Sequence, residues 1–154
     1  MILCQIVTIH YHKKEIYLMT NLTIKRCMLD TNIVSHFIKG QGMVCNKIIF
    51  TPMSELAISS ITEGELLFGL AKKPDAKQLN VVVHEFLIRV EALSWDSAAA
   101  ECYGTLRADM QRKGKALGNL DMLIAAHALS LDAVLITNDR AFSQVEGLKI
   151  EDWM

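Results

Sequence analysis

The sequence predicts an α/β sandwich: a central, largely parallel β-sheet flanked by helices. Three observations carry this expectation. Short apolar runs of strand type recur at 24–29, 56–59 and 133–137. Segments of helical period separate them, and that alternation builds parallel sheets because each crossover returns the chain to the same edge. The run "AVLIT" (133–137) is apolar without alternation, as expected of a strand covered on both faces.

Taken in order, "IKRCML" (24–29) is the first strand, and "NIVSHFIK" (32–39) is a helix that stops at Gly40. The stretch "GQGMVCNKIIFTPM" is ambiguous and reads as loop with some strand. "LAIS" (56–59) is a strand, followed by a helix over 62–73 whose capping box pairs Thr62 with Glu65. A second helix spans 76–90, "EALSW" (91–95) is a strand, and Asp96 caps a long helix that ends at Gly114. "DMLIAAHALSL" (121–131) is apolar nearly all round, so this helix is expected to be buried. The strand 133–137 follows, and "GLKIEDW" (147–153) closes the chain as a half-buried strand.

The chain has 154 residues, 51% of them hydrophobic and only two of them proline, which suits one domain with a real core and no disordered linker. A net charge of −1 argues against a polybasic nucleic-acid tail without excluding a local basic face. Cys4, Cys27, Cys45 and Cys102 are scattered without a CxxC pair, the pattern of reduced thiols in a cytosolic protein. No apolar run approaches the ~20 residues of a membrane helix. The opening "MILCQIVTIHYHKKEIYL" lacks a basic start and a cleavage site, so it is a poor signal peptide.

Chemistry is suggested by acids at strand ends. In an open α/β sheet, ligands bind beyond the carboxyl ends of the strands. Asp30 ends the first strand and Asp139 follows the strand "AVLIT"; Glu65 lies early in the helix after "LAIS", and Asp121 opens the buried helix. Four carboxylates on one edge would raise each other's pKa unless a cation neutralised them. A hard divalent ion such as Mg²⁺ or Mn²⁺, which prefers oxygen ligands and keeps bound water, is the natural occupant. Such water attacks phosphodiesters.

Each acid also has a plainer reading. Asp30 or Thr31 could cap the helix beginning near Ile33, Glu65 could serve only the capping box, Asp121 could favour the helix dipole, and Asp139 could be a turn or cap residue. Glu63 lies roughly 200° around the helix from Glu65 and should point elsewhere.

The segments "MLDTN", "SSITEGELLFG", "GNLDMLIAAHAL" and "LITNDRAF", in that order, resemble PIN-domain proteins. Within that group the chain is similar to the VapC toxins of bacterial toxin–antitoxin pairs, whose chains often end in a motif like "GLKIEDW". The resemblance covers residues 24–154 and implies a PIN-like sandwich and a cytoplasmic, Mg²⁺- or Mn²⁺-dependent endoribonuclease acting on tRNA or rRNA. Its acidic quartet falls on Asp30, Glu65, Asp121 and Asp139, with Asp30 and Asp121 as metal ligands and Asn32 and Thr137 lining the pocket. It further implies a VapB-type antitoxin partner and a homodimer. Two rival classes are a haloacid-dehalogenase-type phosphatase and a PIN-like scaffold that has lost catalysis. The first wants a second Asp where Asn32 stands, and the intact quartet argues against the second.

Arg107, Arg112, Lys113 and Lys115 precede Asp121; they are either a solvated helix end or an RNA-binding rim that steers phosphates. His127 reads as a satisfied core residue, Trp95 and Trp153 as packing residues, and Phe37 and Phe68 as core or dimer face. His10 and His12 lack a third ligand, so no metal is assigned there. Residues 1–23 form an N-terminal extension to the family pattern, and Met19 is a candidate alternative start. An antitoxin segment is expected to run beside the helices 32–39 and 62–73, over Phe37, Leu67 and Phe68. It would place an Arg or Lys against Asp30, Glu65 and Asp121.

Overall fold

The computed structural model describes residues 25–154. Five strands form one sheet in the order β3-β2-β1-β4-β5, with every pairing parallel. The central strand β1 (Cys27–Leu29) leads through α1 (Thr31–Ile38) and α2 (Gly42–Phe50) to β2 (Leu56–Ser59). Helices α3 (Ser60–Ala71) and α4 (Lys77–Arg89) lead to the edge strand β3 (Glu91–Leu93). The chain then returns across the sheet through α5 (Ser97–Arg112) and α6 (Asn119–Ser130) to β4 (Val134–Ile136). A short 3-10 helix, Arg140–Gln144, precedes β5 (Lys149–Glu151). The strand order therefore reverses between β1 and β4, the kind of switch point where such sheets open a crevice.

The pleat divides the core in two. Cys27, Leu29, Leu56, Ile58, Val134 and Ile136 face one side with Ile33, Val44, Ile48, Leu66, Leu70, Val83 and Phe86 of α1 to α4. Met28 and Leu135 face the other, where Leu106 and Met110 of α5 and Met122 and Ile124 of α6 pack with Phe142. A strand buried on both faces must be apolar at successive positions, which is why β1 and β4 do not alternate. Cys27 and Cys45 are buried free thiols, and Cys102 is a partly buried one.

Three expectations need correction. Residues 42–50, expected as loop with some strand, form α2. Ile48, Ile49 and Phe50 favour strands by propensity, but Val44, Cys45 and Ile48 fall on one helical face and bury it. Helix α3 starts two residues early, because Ser59 at the end of β2 already accepts a hydrogen bond from the Ile61 amide at 3.1 Å. Thr62 is thus no cap: it is buried inside the helix with its hydroxyl unpartnered, and no capping box holds Glu65. Helix α6 likewise begins at Asn119, so Asp121 lies in its first turn.

The other assignments hold. Gly40 follows the end of α1 with φ +69°, and the Asp96 side chain caps α5 by accepting from the Ala99 amide. His127 is buried with a hydrogen-bond partner, the indole of Trp95 donates to the Leu123 carbonyl, and Trp153 is buried. Phe37 packs on the core against Phe86, whereas Phe68 is exposed. Cys4, His10, His12, Met19 and the rest of the extension 1–23 lie outside the described residues.

Packing makes an unequal pair of aromatics. Phe142 is fully buried while Phe50 is 84% exposed. Phe142→Ala is expected to lower unfolding free energy by about 3–5 kcal/mol, and Phe50→Ala to change it by less than about 0.5 kcal/mol, read as urea midpoints.

Candidate active site

Asp30 is the residue that follows β1, and its backbone amide still donates to the Ile136 carbonyl of β4 at 3.0 Å. Its side chain is 3% exposed. One carboxylate oxygen accepts the Thr31 amide at 2.7 Å, and the other accepts the Thr137 hydroxyl at 2.9 Å. Thr137 is itself buried at the end of β4, and its oxygen accepts the Asp139 amide at 3.1 Å. Its single hydroxyl proton is therefore committed to Asp30. Asp30 both caps α1 and stands at the crevice, so the two readings of this residue do not compete.

The other acids converge on it. Glu65 projects from α3 and accepts a hydrogen bond from the Thr31 hydroxyl, which joins the first turn of α1 to α3. Asp121 sits in the first turn of α6, where a Cβ on Gly118 would come within 2.5 Å of its carboxylate. Only glycine leaves that hollow open. Asp139 caps the 3-10 helix by accepting the Ala141 amide at 2.8 Å. Burial pushes the Asp30 carboxyl up to about 6, against the Thr137 and Thr31 hydrogen bonds, and the charges of Asp121 and Glu65 push further. Asp121 is raised as well, by burial first and then by Asp139 and Glu65. These mutual effects place all four carboxylates in one electrostatic neighbourhood.

Other expected residues sit differently. Asn32 is exposed in the first turn of α1, and its neighbour Thr31 makes the contact to Glu65. Arg107 donates to the Tyr103 hydroxyl, Arg112 pairs with Asp109, Lys113 pairs with Asp109 and Glu146, and Lys115 donates to the Gln144 carbonyl. All four cations are thus engaged at the end of α5 and on the 3-10 helix. Sequence reasoning missed Thr31 as a link to Glu65 and Gly118 as the hollow beside Asp121. The signal for Gly118 is a glycine placed as N-cap just before an acid-bearing first turn.

Among the described residues no three His, Cys, Asp or Glu side chains form a ready metal cage. Asp30 and Asp121 suit a hard cation that takes one or two carboxylates and otherwise water. Their raised pKa values are what an acid pair held for a positive charge displays when only protein surrounds it.

The Asp30 shift has a stability consequence. Its folded value near 6 exceeds the ordinary ~3.9 of an unfolded chain, so the associated stability is complete below the unfolded value and lost as pH rises through 6. In EDTA, Asp30→Asn should be more stable than the wild type above pH 6, by about 2 kcal/mol, and the gap should close towards pH 4. Thermal unfolding across that range checks it; a gap that stays constant with pH contradicts it.

The PIN domain family model matches residues 27–148. The chain is 36% identical over 127 residues to a tRNA(fMet)-specific endonuclease VapC of Shigella flexneri, covering 82% of this chain and 96% of that one. It is 39% identical over 127 residues to the tRNA(fMet)-specific endonuclease VapC of Salmonella typhimurium, with the same coverage. The fold matches that of DNA-bound VapBC from Salmonella typhimurium with a TM-score of 0.80 at 37% identity, over 84% of this chain and 99% of that one. It matches VapBC2 of Rickettsia felis, bound to a DNA fragment from its promoter, with a TM-score of 0.77 at 33% identity, over 83% and 98%. With its acids at the switch point of an all-parallel sheet, the chain belongs to the PIN-domain family and, within it, to the VapC ribonucleases.

Proposed function

We propose that this protein is a metal-dependent RNA endonuclease of the cytoplasm, the toxin of a toxin–antitoxin pair, working as a homodimer that a small antitoxin silences. The observation that carries the reading is Asp30: a buried carboxyl pushed up to about 6 beside Asp121 and Glu65, with no cationic side chain among the described residues paired to it. Family membership decides against the dehalogenase-type phosphatase. A scaffold without catalysis would have no use for carboxyls that burial and each other's charge hold raised.

Asp30 and Asp121 would hold Mg²⁺ or Mn²⁺. When bound, the ion supplies Lewis acidity, lowering the pKa of water and offsetting charge that develops on the scissile phosphate. The protein's own part is to fix the donors. Thr137 and the Thr31 amide hold the two Asp30 oxygens, the Thr31 hydroxyl holds Glu65, and Gly118 leaves room for the Asp121 carboxylate beside it. Glu65 and Asp139 can then accept hydrogen bonds from water and orient it, so that positioning and electrostatics do most of the work. Initiator tRNA is the first substrate to test, given the relatives in Shigella and Salmonella.

The proposed antitoxin would bring an Arg or Lys to the carboxylates, since guanidinium pairs with them in bidentate fashion. Its apolar residues would lie over Leu67 and Phe68, which are 41% and 65% exposed. Phe37, expected in that groove, is partly buried, packing on the core beside Phe86.

Cleavage of initiator tRNA should require Mg²⁺ or Mn²⁺ and stop in EDTA. It should fall roughly a hundredfold or more in Asp30→Asn or Asp121→Asn. Full cleavage by both variants, with circular dichroism showing them folded, rules the site out. Co-expression of the neighbouring gene should abolish toxicity and yield a complex inactive on RNA; a neighbour that neither co-purifies nor protects rules out the toxin assignment alone.

A further inference from the structure

We propose that His127 is a positioning residue for the acidic site: its hydrogen bond to Ser59 fixes where α6 sits against β2 and α3, and so where Asp121 stands relative to Glu65. The inference rests on the nuclease reading above and adds to it a residue outside the acid cluster.

Among the described residues five polar side chains are buried: Asp30, Ser59, Thr62, His127 and Thr137. Asp30 and Thr137 bind each other inside the crevice. Ser59 and His127 form the second pair, with the His127 Nδ1 2.9 Å from the Ser59 Oγ. Ser59 Oγ also accepts the Ile61 amide, which ties it to the first turn of α3. The serine hydroxyl keeps a second lone pair and its own proton, so it can pair with Nδ1 in either tautomer of the ring. Burial favours the neutral ring, against the charge of Asp96.

Helix α6 needs such a bond. Besides His127 its buried residues are Met122, Ile124, Ala125, Ala126 and Ala128, which run right round the helix and are small apart from Met122 and Ile124. Apolar burial has no direction, so a surface built largely of alanine resists axial sliding weakly. A hydrogen bond between buried partners has one geometry, and sliding would leave both partners unsatisfied. A second link runs beside it: the Trp95 amide donates to Ser60 Oγ at 3.1 Å, and its indole donates to the Leu123 carbonyl at 3.1 Å. Adjacent serines thus reach α6 at Leu123 and His127, one helical turn apart. Glu65 lies six residues beyond Ser59 and Asp121 six residues before His127. Each acid is about 9 Å along a stiff helix from the link, close enough for a slip of the link to reach it undiminished.

The test compares His127→Leu, His127→Asn and His127→Gln as full-length proteins, assayed on initiator tRNA in Mg²⁺ at a temperature where all are folded. Asparagine offers a polar atom where Nδ1 stands; glutamine carries its polar group one bond further out; leucine offers none. His127→Asn should keep at least about a third of wild-type kcat. His127→Gln and His127→Leu should lose about tenfold or more with KM changed less than about twofold, since misplacement near ~1 Å costs up to a hundredfold. Melting temperature should rank differently, with leucine at or above asparagine because it buries no spare amide. If kcat follows melting temperature through the series, or leucine keeps wild-type kcat, the positioning role is overturned. Should the wild type cut no RNA, the nuclease reading fails and the link is judged on the Mn²⁺-induced rise in melting temperature. His127→Asn should then keep that rise and His127→Leu lose most of it; equal rises overturn the proposal.

Discussion

Burying one carboxylate at the end of the central strand organises this molecule. β1 is covered on both faces, and Asp30 follows it without leaving the interior. A buried acid without a countercharge opposes folding, so the surroundings must supply hydrogen bonds: the Thr31 amide, the Thr137 hydroxyl and the pairing of the Asp30 amide with β4. Those bonds are available only because β4 lies beside β1 in register, Leu29 opposite Ile136. The long return through α5 and α6 that delivers β4 also delivers Asp121. One topological step therefore provides both the shelter for Asp30 and the second acid beside it.

The same constraint explains how Glu65 comes into the site. Because Ser59 ends β2 and caps α3 at once, the chain passes from strand to helix without a loop, and the first turns of α3 stay close to α1. Thr31 spans the remaining gap with its hydroxyl, while its amide serves Asp30. Two adjacent groups of one residue thus hold two different acids, which couples their positions more tightly than separate donors would.

Much of this was legible in the sequence, for identifiable reasons. The buried strands announce themselves because a parallel strand covered on both faces is apolar without interruption, and Asp96 and Gly40 mark their helix ends by ordinary cap chemistry. The four acids were legible because strand ends define one edge. Helix α2 was not, since Ile48, Ile49 and Phe50 carry strand propensity and only tertiary burial of Val44, Cys45 and Ile48 resolves it. The capping box at Thr62 failed because Ser59, three residues earlier, ends β2 and caps the helix itself. Phe37 and Phe68 share a residue type and differ only in which neighbours the fold gives them, which no local pattern records.

Gly118 carries a consequence for heredity. Any side chain there meets the Asp121 carboxylate at 2.5 Å, and the flexible carboxylate, rather than the backbone, would yield. Alanine at this codon needs one base change, and helix α6 would form as before with its acid turned aside. A gene whose product harms its own cell is under pressure to fall silent whenever its antidote runs short. Position 118 is a place where a change can fall without unfolding the protein, because what must move is one side chain.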